Sequence, residues 1–118
     1  MTSKQYVLGI ISTKENKDKI EKLETLYKTS FPDVIKKIIS AADEPQFFDD
    51  DSRMMSFDEM IDAENDLHIE FSKLGIFPII DCGENDFIVY HTKSKSWSKF
   101  NINEEITYDT KNTLEELI

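Results

Sequence analysis

Apolar positions along the chain change their spacing at about residue 75. Upstream they recur every three to four residues, as in Ile20, Leu23 and Tyr27, which is typical of one face of an α-helix. Downstream, β-branched and aromatic residues form three runs separated by short polar turns, which is typical of antiparallel hairpins. These runs are Ile76–Cys82, Phe87–Thr92 and Trp97–Ile102. The pattern therefore predicts helices first and antiparallel strands afterwards.

Short polar motifs predict where the helices begin. Ser12–Glu15 and Ser56–Glu59 both place a Glu three residues after a Ser, as in a capping box. Between these two motifs, Pro32 precedes an apolar stripe that ends at Ala42, and proline suits the first turn of a helix. The helix that follows Ser56 is expected to continue to about Lys73.

Four other segments carry weaker patterns. Gln46–Phe48 and Arg53–Met55 are expected to be short extended pieces on either side of a run of three Asp residues. Tyr6–Ile11 suits either a strand or the lead-in to a helix. Asn112–Glu115 resembles the start of a short C-terminal helix.

The order of these elements predicts an α+β fold, with a small antiparallel sheet and helices packed on it. A chain of 118 residues with 39% hydrophobic residues is large enough for one core without disulfides, so residues 1–118 are expected to form one domain. The helices within residues 13–42 are expected to cover one face of the sheet.

All of the net charge lies in residues 43–70, which we call the acidic segment. It holds eleven acidic residues and one strong base, Arg53, a net charge of −10, whereas the rest of the chain holds thirteen of each. A concentrated charge of one sign attracts partners of the opposite sign and accelerates the encounter with them. A solvated acidic helix and loop would have the same composition, so the segment is either a partner surface or an ordinary solvated one.

In the expected third helix, which begins after Ser56, four acids recur every four residues, namely Asp58, Asp62, Asp66 and Glu70. This spacing would align them along one side of the helix at a rise of about 6 Å per step. Each like-charge pair at this spacing costs roughly 0.2–0.5 kcal/mol in an isolated helix, so the arrangement opposes helix stability. Such a row of carboxylates resembles a phosphate backbone electrostatically. The candidate partner-binding residues are Asp49, Asp50, Asp51, Asp58, Glu59, Asp62, Asp66 and Glu70. Apolar neighbours that suit either the core or the centre of an interface are Phe47, Phe48, Met54, Met55 and Phe57.

Residues that could carry chemistry are sparse. Asp81 and Asp86 flank a turn, but neither stands in a setting typical of a catalytic acid, and no catalytic residue is predicted. His68 and His91 are far apart in the sequence and lack partners at metal-ligand spacing, apart from the weak i, i+4 pair of Glu64 and His68. The single cysteine, Cys82, excludes a metal site made of cysteines alone, so no metal or other cofactor is predicted. The negative charge disfavours direct contact with nucleic acid or anionic membranes. With neither a signal peptide nor a membrane-spanning run, we expect a cytoplasmic protein.

Several segments together resemble the SUKH superfamily, which includes the fungal Smi/Knr cell-wall synthesis regulators and many bacterial immunity proteins of polymorphic-toxin systems. The similar segments begin with a Phe-Pro helix start and an Arg-x-x-Ser-x-x-Glu step, and continue with a strand, a Gly turn and a hairpin containing Trp. They are Phe31–Val34, Arg53–Glu59, Asp81–Tyr90 and Ser96–Phe100, within about residues 13–118.

The resemblance implies a binding protein without chemistry of its own. We therefore expect an immunity-type protein that neutralises a basic toxin domain of the nuclease kind by contact through an acidic surface. The alternative is a regulatory adaptor that binds a protein without inhibiting an enzyme. The sequence leaves the oligomeric state open.

Overall fold

A sheet of six antiparallel strands in sequential order forms the centre of the fold, and the computed structural model describes all residues 1–118. The α+β prediction is confirmed. The three predicted hairpin strands are present, as are the two short extended pieces. The strands are β1 (Gln46–Phe47), β2 (Arg53–Met54), β3 (Ile76–Gly83), β4 (Asp86–His91), β5 (Trp97–Asn101) and β6 (Ile106–Lys111).

Five α-helices and two short 3-10 turns surround this sheet. The helices are α1 (Ser3–Gly9), α2 (Lys17–Tyr27), α3 (Asp33–Ala41), α4 (Phe57–Leu67) and α5 (Phe71–Leu74). The 3-10 turns are Ile10–Ser12 and Leu114–Glu116. None of these helices has the length and apolar character needed to cross a bilayer.

Other parts of the chain pack on both faces of the sheet. Adjacent rows of paired residues point to opposite faces, and each row contacts a different part of the chain. One row consists of Arg53, Asp81, Phe87 and Phe100, and α4 packs beside its first three members. The next row consists of Met54, Ile80, Ile88 and Lys99, where Ser3 and the C-terminal Leu117 and Ile118 border a shared crevice. The sheet is therefore covered by α4 on one side, and the two chain termini cover part of the other side.

An aromatic cluster joins α2 and the start of α3 to the sheet. The ring of Phe77 lies 5.0 Å from that of Tyr27 and 4.8 Å from that of Phe31, and none of its surface is exposed. Tyr90 continues the cluster toward Trp97 at 5.0 Å. Trp97 is only 4% exposed and therefore belongs to the core.

The predicted continuous helix from Ser56 to about Lys73 is wrong at residues 68–70, where the chain leaves the helix. Chain direction changes at His68, which adopts a left-handed conformation with φ 58°, and α5 begins only at Phe71. Ile69 and Phe71 are both buried, although positions two apart on one helix point to nearly opposite sides. The break allows both side chains to enter the same core.

Other boundaries also differ from the prediction. The cap of α2 is Asn16, whose Oδ1 accepts a hydrogen bond from the Lys19 amide at 3.2 Å, instead of the predicted Ser12 motif. Residues 6–9 are helical, which resolves the ambiguity of Tyr6–Ile11 in favour of the helical alternative. The predicted C-terminal helix is a single 3-10 turn, and strand β6 was not predicted at all.

Candidate partner-binding surface

Three of the predicted residues form a continuous acidic row on α4. Asp58, Asp62 and Asp66 are exposed, and none of them takes part in an ion pair within the chain. The opposite side of the helix buries Met60 and Ala63. We call these three carboxylates the acidic ladder. Their charges are directed to solvent from a helix whose other side is held in the core.

Glu70 does not belong to the ladder, because α4 ends before it. It lies in the short link between α4 and α5, and its carboxylate is 3.6 Å from Lys73 Nζ. Both side chains are largely exposed, so this ion pair contributes little to stability. The prediction that four acids share one helix face is corrected to three.

Glu59 is engaged inside the protein and is not free for a partner. Its Oε1 accepts hydrogen bonds from Arg53 Nη1 at 2.6 Å and from the Ser56 amide at 3.1 Å, while Ser56 Oγ accepts from the Glu59 amide at 3.2 Å. Arg53 also reaches Asp81 on β3, with 3.3 Å between Nη2 and Oδ2. The only strong base of the acidic segment therefore holds the first turn of α4 against the sheet.

The pKa values of this group follow from the same contacts. The hydrogen bond from Arg53, followed by those from Ser56, lowers the pKa of Glu59 despite its partial burial. The hydrogen bond to Glu59 likewise raises the pKa of Arg53. The folded state consequently favours the charged forms of both side chains.

Replacing Glu59 with Gln should isolate the value of this ion pair. Gln5 already performs the same capping role in α1, where its Oε1 accepts from the Thr2 amide at 2.9 Å, so a Gln at position 59 is expected to preserve the cap. The free energy of unfolding at pH 7 should fall by about 1 kcal/mol, between the values for exposed pairs and for buried charged hydrogen bonds. Urea denaturation measures this change.

The stability difference between wild type and Glu59→Gln should become smaller as pH falls. Because the folded state lowers the pKa of Glu59 from 4.5, its stabilisation is complete above that pH and is lost as pH falls through the lowered value. The two proteins should therefore converge in acid. A difference that stayed constant from neutral to acidic pH would show that the side-chain charge contributes nothing.

The loop between β1 and β2 holds the three consecutive Asp residues. Asp49 Oδ1 pairs with the amino group of Met1 at 2.6 Å. Asp50 accepts hydrogen bonds from the hydroxyl and amide of Ser52 at 2.5 and 3.1 Å, which lower its pKa. Asp51 is exposed and adopts a left-handed conformation with φ 67°. These contacts shape the loop, and all three side chains remain accessible.

Only one of the apolar neighbours is available to a partner. Phe47 is 67% exposed on the edge strand β1, whereas Phe48, Met54 and Met55 are buried. Phe57 is half-buried beneath the Lys19 ammonium, which lies 5.3 Å from the ring centre. An exposed aromatic residue beside carboxylates suits the centre of an interface with a charged rim. Because β1 contains only two residues, its sequence shows no alternation of exposed and buried positions. The sequence therefore does not tell the exposed Phe47 from the buried Phe48.

The side chains that are chemically most suited to catalysis are buried or bonded to other residues of the chain. His91 Nε2 and Thr110 Oγ1 both lie 2.7 Å from Ser98 Oγ, but Ser98 has no exposed surface and its hydroxyl cannot reach a substrate. Burial raises the pKa of Cys82 to about 11, which disfavours the reactive thiolate. Asp81 is engaged by Arg53, and Asp86 accepts a hydrogen bond from Asn101 Nδ2 at 2.9 Å.

Comparison of the chain with protein-family models, curated proteins and solved structures finds no match.

Proposed function

We propose that the protein is an immunity-type binding protein that neutralises a basic toxin domain of the nuclease kind through the acidic ladder on α4. The observation that carries the proposal is the acidic ladder itself. Its three unpaired carboxylates stand on one helix side, at a cost in helix stability that the fold accepts. The resemblance to SUKH immunity proteins supports the same function.

The physical basis is electrostatic complementarity. Carboxylates one helical turn apart present negative charge about every 6 Å, which suits the basic groove in which a nuclease holds a phosphate backbone. Attraction of this kind mainly accelerates association, while apolar contacts at the centre of the interface slow dissociation. Phe47 is exposed on β1 and pairs with Arg53, which holds the first turn of α4, so its ring supplies such a contact. A complex of this kind would block the toxin without any chemistry in the present chain.

Co-expression with a candidate toxin tests the proposal. The toxin is the product of the open reading frame next to the gene, and growth of the host is scored with and without the present protein. The expected result is rescue by wild type and loss of rescue when Asp58, Asp62 and Asp66 become Asn. The matched control replaces Glu104, Glu115 and Glu116 with Gln, because these three are exposed outside the acidic segment and should be dispensable.

Two outcomes would contradict the proposal. If the neighbouring product is not toxic but binds the protein in a pull-down, the protein is an adaptor. If wild type and both variants rescue growth equally, neutralisation does not depend on the acidic ladder, and the surface assigned to it is wrong.

A further inference from the structure

A crevice lies on the face of the sheet opposite α4, and we call it the sheet crevice. Its inner part, over the strands, has a volume of about 150 Å³, and its outer part, beside the start of α1, has a volume of about 360 Å³. Ser3, Asp50 and Ile118 line both parts, which are therefore joined. Small-molecule sites typically have volumes of about 300–1,000 Å³, so the sheet crevice is large enough to be one.

The inner part has an apolar floor. Ile80 pairs with Ile88 and Ile88 pairs with Lys99, so these three side chains stand on one face of the sheet. Ile80 and Ile88 are buried, and Leu117 and Ile118 complete the apolar lining. The inner volume of about 150 Å³ equals that of about five water molecules in the liquid. It therefore suits an aliphatic group of about five non-hydrogen atoms.

Lys99 and Asp50 bring opposite charges to this inner part. Lys99 takes part in none of the ion pairs of the chain, and Asp50 is bonded only through Oδ1, to Ser52. Three inter-strand steps of about 4.8 Å separate β2, which follows Asp50, from β5, which carries Lys99. Burial raises the pKa of the Cys82 thiol, the charge of Lys99 lowers it, and the charges of three Asp residues, including Asp50, raise it. Both charges thus lie near one side chain of the crevice without pairing with each other.

The hydroxyl of Ser3 is a second polar group that lacks a partner. Ser3 is only 9% exposed, and its side chain takes part in none of the hydrogen bonds of the N-terminal turn. The one unpartnered side-chain atom that is sealed from solvent is Tyr27 Oη, so Ser3 Oγ is reached from the crevice that it lines. Buried hydroxyls are normally hydrogen-bonded, and a ligand that bonds to Ser3 Oγ would satisfy this group.

We propose that the sheet crevice binds a small aliphatic α-amino acid in its zwitterionic form. The carboxylate of the ligand accepts a hydrogen bond from Lys99 Nζ. Its ammonium donates to Asp50 Oδ2 and Ser3 Oγ, which lie where the two parts of the crevice meet, and its side chain packs on Ile80 and Ile88. A ligand with one charge would leave either Lys99 or Asp50 unpaired, so the lining favours a molecule that carries both. The site goes beyond the proposed function, because it lies on the face of the sheet opposite the acidic ladder.

Isothermal titration with matched probes tests the chemistry of the ligand. L-leucine should bind wild type with a dissociation constant between about 10 µM and about 1 mM. Isocaproate has the same carbon skeleton without the ammonium, isoamylamine lacks the carboxylate, and glycine lacks the aliphatic side chain. Each of these three should bind about tenfold more weakly or worse. The absence of L-leucine binding to wild type would overturn the proposal, and isocaproate that bound as tightly as L-leucine would overturn the assignment to an amino acid.

Substitutions test the location of the site. Lys99→Gln and Asp50→Asn should each weaken L-leucine binding about tenfold, and Asn retains the oxygen that accepts from Ser52. Lys99→Gln should leave isoamylamine binding unchanged, because that probe has no carboxylate. Lys93→Gln, in the β4–β5 turn, is the matched control and should bind L-leucine like wild type. Thermal unfolding of each variant in parallel verifies that it is folded.

Two further results separate this site from the acidic ladder. The variant in which Asp58, Asp62 and Asp66 become Asn should bind L-leucine like wild type, whatever its effect on a toxin partner. L-leucine that bound equally to wild type, Lys99→Gln and Asp50→Asn would show that it binds elsewhere, and the sheet crevice would not be an amino-acid site.

Discussion

Association with the proposed toxin partner should slow by an order of magnitude or more at low salt when Asp58, Asp62 and Asp66 are all replaced by Asn. The substitutions remove three charges at nearly constant shape, and the loss of steering acts mainly on the association rate. The helix should gain slight stability, because two repulsive pairs disappear. Stopped-flow association with the partner, with thermal unfolding measured in parallel, gives both quantities.

Salt provides the internal check on this result. The Debye length falls from about 10 Å at 0.1 M to about 3 Å at 1 M, so the difference between wild type and variant should largely vanish at high salt. Glu70→Gln is the matched control, because the break at His68 places Glu70 outside the ladder. Equal association rates for wild type and a well-folded triple variant would mean that the ladder is only solvated.

Replacing Phe77 with Ala should lower the free energy of unfolding by about 3–5 kcal/mol. The ring is wholly buried and contacts the rings of both Tyr27 and Phe31, so its removal leaves a cavity between the sheet and the helices. A loss of this size is a large part of the 5–15 kcal/mol that typically stabilises a domain. Chemical denaturation by urea, followed by tryptophan fluorescence of Trp97, measures the effect.

The exposed Phe47 supplies the matched control for that experiment. Phe47→Ala removes the same atoms from a side chain that is 67% exposed, so the change in unfolding free energy should stay within about 0.5 kcal/mol. Its effect should instead appear as faster dissociation of the partner complex. If the two variants were equally stable, the aromatic cluster around position 77 would not be the centre of the core.

Local signals in the sequence predicted elements where the deciding interactions are also local. The predicted cap at Ser56 is confirmed, and its partner Glu59 lies in the same helical turn. The break at His68 was missed because the acidic spacing continues through it, while the burial of Ile69 and Phe71 depends on the sheet. β6 was missed because its residues are mostly polar and pack on one neighbour only.

The same contrast between local and long-range interactions applies to the candidate site. That Asp58, Asp62 and Asp66 share a helix side follows from their spacing alone. Glu59, in contrast, is held within the protein by Arg53, whose second partner Asp81 is 28 residues away from it in the chain. No pattern in the acidic segment distinguishes a carboxylate held by a distant guanidinium from one that faces solvent, so the identity of the free acids required the tertiary structure.

The acidic ladder lies within the one long connection of an otherwise continuous meander. Neighbouring strands are joined by short turns everywhere except between β2 and β3, where residues 55–75 carry α4 and α5. Strand order and register are set by the hairpins of residues 76–111, which do not include the ladder. Substitutions within this single insertion can therefore change the charge of the acidic ladder without altering the strand pairing of the sheet that supports it.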